Sequence, residues 1–246
     1  MMTRRKFGRG VLGVVASAVL LSGCGLIKSY KPFRYRLTVE VDTPQGLRTG
    51  SSVIEVERGE VGTTLGGANT EARGEAVAVD LPGGQTLFAL MKGDAETYNF
   101  PAEVMFLVTP YKRDDGGDGM APVEVVRANT KLNVVPRTRP AFFNPGKEPP
   151  ISAYPMMVRF RNIADPKTVE RVDPDNLAAS FGDGVKLRRI TAQLTEDDVT
   201  TGIEKRLVWL PKQEFSLVPF PRDVPKKDWA FGSNIFGQDF SKGVLQ

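Results

Sequence analysis

The chain has 246 residues, 41% hydrophobic and 25% charged, an ordinary globular composition with more Gly (25) and Pro (18) than average, so many turns and few long helices are expected. The formal charge of +4 is carried entirely by Arg4, Arg5, Lys6 and Arg9; from residue 24 onward, 33 − 4 = 29 Lys+Arg face 29 Asp+Glu. A neutral body lacks the positive field that phosphate binding needs, and nucleic acid is excluded as an expected partner.

Residues 1–24 read in three parts: a basic start to Gly10, an apolar run Val11–Leu21, and the close Leu21-Ser22-Gly23-Cys24. Eleven apolar residues are too few to cross a bilayer core as a helix, and this arrangement is that of a secretory signal. The last four residues resemble the lipobox of bacterial lipoproteins. That resemblance implies removal of residues 1–23, lipidation of Cys24 and a membrane partner held through acyl chains. Thr3-Arg4-Arg5-Lys6-Phe7 also resembles the twin-arginine export motif, and an ordinary basic leader reads equally well there. Gly25, rather than Asp, after the cysteine resembles the outer-membrane sorting pattern, which places the protein in the cell envelope, facing the periplasm where there are two membranes.

Residues 24–32 form a tether. Tyr35, Leu37, Val39 and Val41 then alternate with Arg34, Arg36, Thr38 and Glu40, a half-buried strand ended by the turn Thr43-Pro44-Gln45-Gly46. Further strands are expected at 52–57, 75–81, 86–91, 104–109 and 123–126, with Pro82-Gly83-Gly84 linking two of them. Six prolines between Pro136 and Pro155 rule out a central strand or a helix there, so 136–155 is a linker or long loop. Strands resume at 156–162 and 184–195; in the latter the apolar parity slips between Leu187 and Ile190, as at a bulge or in a strand buried on both faces. Between them a short helix is expected, capped by Asp173, opened by Pro174 and ended by Gly182. A second is expected at 202–210, from the capping box of Thr201 and Glu204. The segment 213–246 has no sustained period. The expected fold is mainly β, an antiparallel sandwich or barrel-like body with two short helices and an irregular tail. It is divided as 33–135, 136–155, 156–212 and 213–246, in one domain or two.

The chemistry is bounded by what is missing. The chain has no histidine, and Cys24 is its single cysteine, so His-based triads, His-bound metals and disulfides have no residues to use. No cofactor motif appears, and none is expected. Asp114, Asp115 and Asp118 form the densest oxygen cluster but miss calcium-loop spacing, because Val125 stands at position 12; a solvated turn is the expected reading. The glycine-rich stretch 58–69 lacks the following helix that a phosphate cradle needs and reads as a hairpin or loop. In the tail, Phe215, Phe220, Trp229, Phe231, Phe236 and Phe240 alternate with Arg222, Lys226, Lys227 and Lys242. They either cover the protein's own core or dock a partner, with Trp229, Phe231, Phe236 and Phe240 as the candidate contacts. Two functions follow: a non-enzymatic envelope lipoprotein that binds or scaffolds another envelope protein, or a carboxylate-dependent hydrolase or carbohydrate-binding protein acting on cell-wall glycan.

Overall fold

The structure, a computed structural model, describes residues 32–61, 67–95, 100–108, 131–139 and 149–244. Cys24, Asp114, Asp115, Asp118 and the strand expected at 123–126 lie outside these residues. Strand β1 (Phe33–Thr43) has the expected period of two. Phe33, Tyr35, Leu37, Val39 and Val41 are buried, and the intervening residues are half-exposed. Pro44 and Gln45 turn the chain into β2 (Gly46–Val61), with Gly46 at φ 102° and the Thr43 hydroxyl donating to its carbonyl at 2.7 Å. β2 continues past the end of β1 and pairs with β3 (Gly67–Glu75), so the described part of the glycine-rich stretch, 58–61 and 67–69, lies in paired strands.

The strand expected at 75–81 is broken at Ala76. Glu75 ends β3, and Val77 opens β4 (Val77–Leu81), which belongs to a second sheet. A turn at Pro82–Gly84 leads to β5 (Gln85–Gly93). Of the strand expected at 104–109, residues 104–108 are instead part of helix α1 (Phe100–Val108), and 109 lies outside the described residues. In a short continuous apolar run, periodicity cannot distinguish a buried strand from a buried helix. Pro101 in the first turn, followed by Glu103, is helix-start chemistry that settles it. Phe100 and Val104, one turn apart, enter the core, and the Tyr35 hydroxyl donates to the Pro101 carbonyl at 3.1 Å.

Short β6 (Asn133–Val134), β7 (Thr138–Arg139) and β8 (Ile151–Ser152) follow. β7 and β8 pair only with each other, as proline-interrupted backbone must. β9 (Pro155–Phe160) and β10 (Val169–Arg171) form a hairpin. The helix expected after Asp173 contracts to one turn, α2 (Ala178–Phe181). The Asp173 carboxylate accepts the Asp175 amide, capping the turn before the helix, and Gly182 ends the helix at φ 98°. β11 (Lys186–Thr195) carries the expected bulge: Glu40 pairs with Arg189 and Val41 with Leu187, leaving Arg188 out of register. The bulge moves the inward face from odd to even positions, so Ile190, Ala192 and Leu194 point where Val185 did.

With β12 (Ser241–Lys242), one sheet has the order β12-β3-β2-β1-β11-β6 and the other β10-β9-β5-β4, all pairs antiparallel. The fold is mainly β and sandwich-like. No helix among the described residues is long and apolar enough to cross a membrane.

The second sheet is buried on both faces. From β5, Leu87, Ala89 and Met91 face the first sheet, whereas Phe88 and Leu90 face the other way. That outer layer is supplied by the C-terminal segment: Ile203, Leu207, Leu210, Leu217, Ile235 and Phe240. Phe240 lies among Phe88, Phe160 and Trp209, at centroid distances of 5.7–5.9 Å. The expected helix at 202–210 is replaced by 3-10 turns at Ile203–Lys205 and Leu210–Lys212. Gly202 is left-handed at φ 112°, and its amide and that of Ile203 donate to the Glu75 carboxylate at 2.9 and 3.0 Å. A carboxylate from another strand thus takes the place of the Thr201 side chain.

Two stability predictions follow from this packing. Phe240→Ala empties the aromatic cluster and should cost about 3–5 kcal/mol in urea unfolding. A Cβ at Gly50 would lie 2.2 Å from the Ala78 carbonyl oxygen, because β2 and β4 meet there backbone to backbone. Gly50→Ala should therefore cost about 3 kcal/mol; an unchanged urea midpoint would contradict this close approach.

Candidate functional site

The tail has little regular structure, yet it is tied down bond by bond. Ser216 bridges to Phe236, the Leu217 amide donates to Ile235, and the Val218 amide donates to Gly232. Gly232 has no room for a side chain, since a Cβ would meet Val218 at 2.6 Å and Val169 at 2.9 Å. Lys92, from β5, donates to the Asn234 carbonyl at 2.7 Å, and Asp239 accepts the Phe236 amide at 2.9 Å. Burial pushes the Asp239 carboxyl above the ordinary carboxylate range, opposed by that amide and by Lys92 and Lys242.

These ties fix which rings face out. Ser216 and Leu217 point inward, whereas Phe215 is 72% exposed and Phe220 42%. Between them lies an open groove of about 750 Å³, lined mainly by Phe215, Phe220, Trp229 and Pro219, with Lys167 and Arg222 as its charged members. Phe220 packs on Trp229 at 4.8 Å between centroids and on Phe236 at 6.2 Å. Trp229 is held by its indole N–H on the Val224 carbonyl at 2.8 Å. The Gln213 amide donates to the Phe215 and Ser216 carbonyls at 3.1 and 2.9 Å. Pro166 and Lys167 reach the groove from the β9–β10 turn, which Trp209 fastens to the tail by donating to the Ile163 carbonyl at 2.9 Å.

A smaller cavity of about 320 Å³ lies beside α2, lined by Tyr154, Asp175, Asn176 and Lys186 among others. Arg137 grips Asp175 at 2.8 Å, lies 3.6 Å from Asp94, and stacks over the Tyr154 ring at 5.2 Å. The guanidinium holds the Asp175 carboxyl below its usual range, so this group is an ionised counter-ion and not a proton donor.

The four aromatic residues singled out from the sequence separate. Trp229 lines the groove and Phe236 backs it through Phe220. Phe231 packs half-buried against the outer core, and Phe240 is wholly inside it. Phe215 and Phe220 are the exposed rings, and only tertiary structure distinguishes them from the others. Pro166 and Lys167, some fifty residues upstream, carry no local signal. Among the described residues, no cluster of three or more His, Cys, Asp or Glu could hold a metal. No protein-family model, curated protein or solved structure matches the chain.

Because Asp239 has a raised pKa in the folded state, it adds no cost when protonated in both states and costs stability as pH rises through that pKa. Asp239→Asn should remove this slope, so unfolding free energies measured from pH 4 to 8 should show the wild type losing stability relative to the variant. Parallel curves would refute the raised pKa. Phe215→Ala removes a ring that is mostly in water, and its melting temperature should stay within about 2 °C of wild type.

Proposed function

We propose that the protein is an envelope lipoprotein, anchored by acyl chains on Cys24, that binds or scaffolds another envelope component through the groove of Phe215, Phe220 and Trp229. Its role is non-enzymatic. The observation that carries this reading is the open aromatic groove. Two phenylalanines are held toward solvent by a tail whose backbone bonds, Trp229 indole and Gln213 amide are already committed to the protein itself. Exposed rings on a rigid support suit contact with a partner, because little order remains to be imposed on binding. The lipobox-like Leu21-Ser22-Gly23-Cys24 supports a location beside a membrane, on the periplasmic face of the outer membrane in a two-membrane cell. The ion-paired Asp175 gives no support to the alternative carboxylate chemistry.

Two measurements test this. Cys24→Ser should move the protein from the membrane to the soluble fraction; retention in the membrane would remove the anchor. A photo-crosslinking residue placed at Phe215 in growing cells should give one discrete adduct identifiable by mass spectrometry. The same probe at Lys186, on the small cavity, should give none. No adduct at Phe215, or identical adducts at both, would defeat the groove as a docking site.

A further inference from the structure

We infer that the occupant of the groove is an extended, acidic peptide segment of a partner protein, anchored by apolar side chains; this rests on the groove being the binding site proposed above. Charge carries the argument furthest. Lys167 and Arg222 line the groove, no carboxylate does, and neither cation has an ion-pair partner among the described residues. Elsewhere arginines are neutralised as a rule. Arg34, Arg36, Arg137, Arg159, Arg171, Arg189 and Arg206 each hold a carboxylate, and Arg48 is the other described exception. Two uncompensated cations over an apolar floor complement an anionic ligand with apolar anchors.

The groove's chemistry also favours a peptide over a sugar. The neutral donors, the Gln213 amide and the Trp229 indole, already donate to the chain's own carbonyls, which leaves the charged donors Lys167 and Arg222, better matched to a carboxylate than to a neutral hydroxyl. What remains is ring and proline surface for apolar side chains, with cations at hand for carboxylates. Pro219 and Pro221 lack amide protons, so a strand cannot be added along that wall and recognition falls to side chains. The concave shape suits an inserted chain better than a flat bilayer surface.

The test uses the full-length Cys24→Ser chain, free of acyl groups. By fluorescence anisotropy it is titrated with a labelled dodecapeptide of alternating Glu and Leu with one central Phe, and with its counterpart carrying Lys for every Glu. The acidic peptide should saturate and bind at least about tenfold tighter than the basic one, with affinity falling as salt rises. Lys167→Glu combined with Arg222→Glu should weaken it about tenfold, and Phe215→Ala should weaken it without changing the salt dependence. Equal binding of the two peptides overturns the acidic preference and leaves the groove reading intact. If neither peptide binds while Phe215 still crosslinks in cells, the peptide inference alone falls. If neither binds and no crosslink forms, both fall. Arg222-dependent capture by phosphatidylglycerol vesicles, with no peptide binding, overturns it in favour of a membrane surface.

Discussion

The structure depends on the second face of β5. A strand with Leu87, Ala89 and Met91 on one side and Phe88 and Leu90 on the other must be covered twice. The first sheet covers one side. The other is left to a C-terminal segment with no long helix or strand, which nevertheless places six apolar side chains on the sheet. Each fully buried side chain of this kind contributes about 1.5–3 kcal/mol, more than a short 3-10 turn supplies by itself. Packing, not helix or strand propensity, therefore sets the path of the tail.

Such a path leaves backbone groups without a regular ladder, and buried ones must find partners. Here they find side chains, those of Glu75 and Lys92 distant in sequence and that of Asp239 local. Glu75 takes the amides of Gly202 and Ile203, Asp239 that of Phe236, and Lys92 the carbonyl of Asn234. Burying these charges has an electrostatic cost, visible in the raised carboxyls of Glu75 and Asp239. In return the tail is held in one register. The groove is a by-product of that register: with Ser216 and Leu217 turned inward, Phe215 and Phe220 have nowhere to go but out.

The first sheet contrasts with this. Its outer face is a lattice of exposed ion pairs, Arg34 with Glu55, Arg36 with Asp197 and Arg189 with Glu40, each of small energetic weight but together leaving no uncompensated charge of either sign among these residues. Those arginines are therefore neutralised in place, whereas the groove presents open cations beside open rings.

Much of this was legible in the chain and much was not, for identifiable reasons. The strand 33–43, its turn at Pro44-Gln45 and the bulge near Arg188 could be read directly, because in a sheet with one solvated face burial alternates residue by residue. The mainly β class followed from the same signal. Local patterns failed where a distant group intervened. Thr201 and Glu204 spell a capping box, yet Glu75 took the amides; Val104–Val108 resembles a strand, yet helical packing of Phe100 and Val104 prevailed. For the site, the sequence alone determined that the tail was rich in rings and cations and that imidazole chemistry was absent. Only tertiary structure decided that Phe240 is core, that Phe215 and Phe220 are surface, and that Lys167 joins them. Residue type dictates that a ring seeks burial, but which rings succeed depends on how much sheet there is to cover.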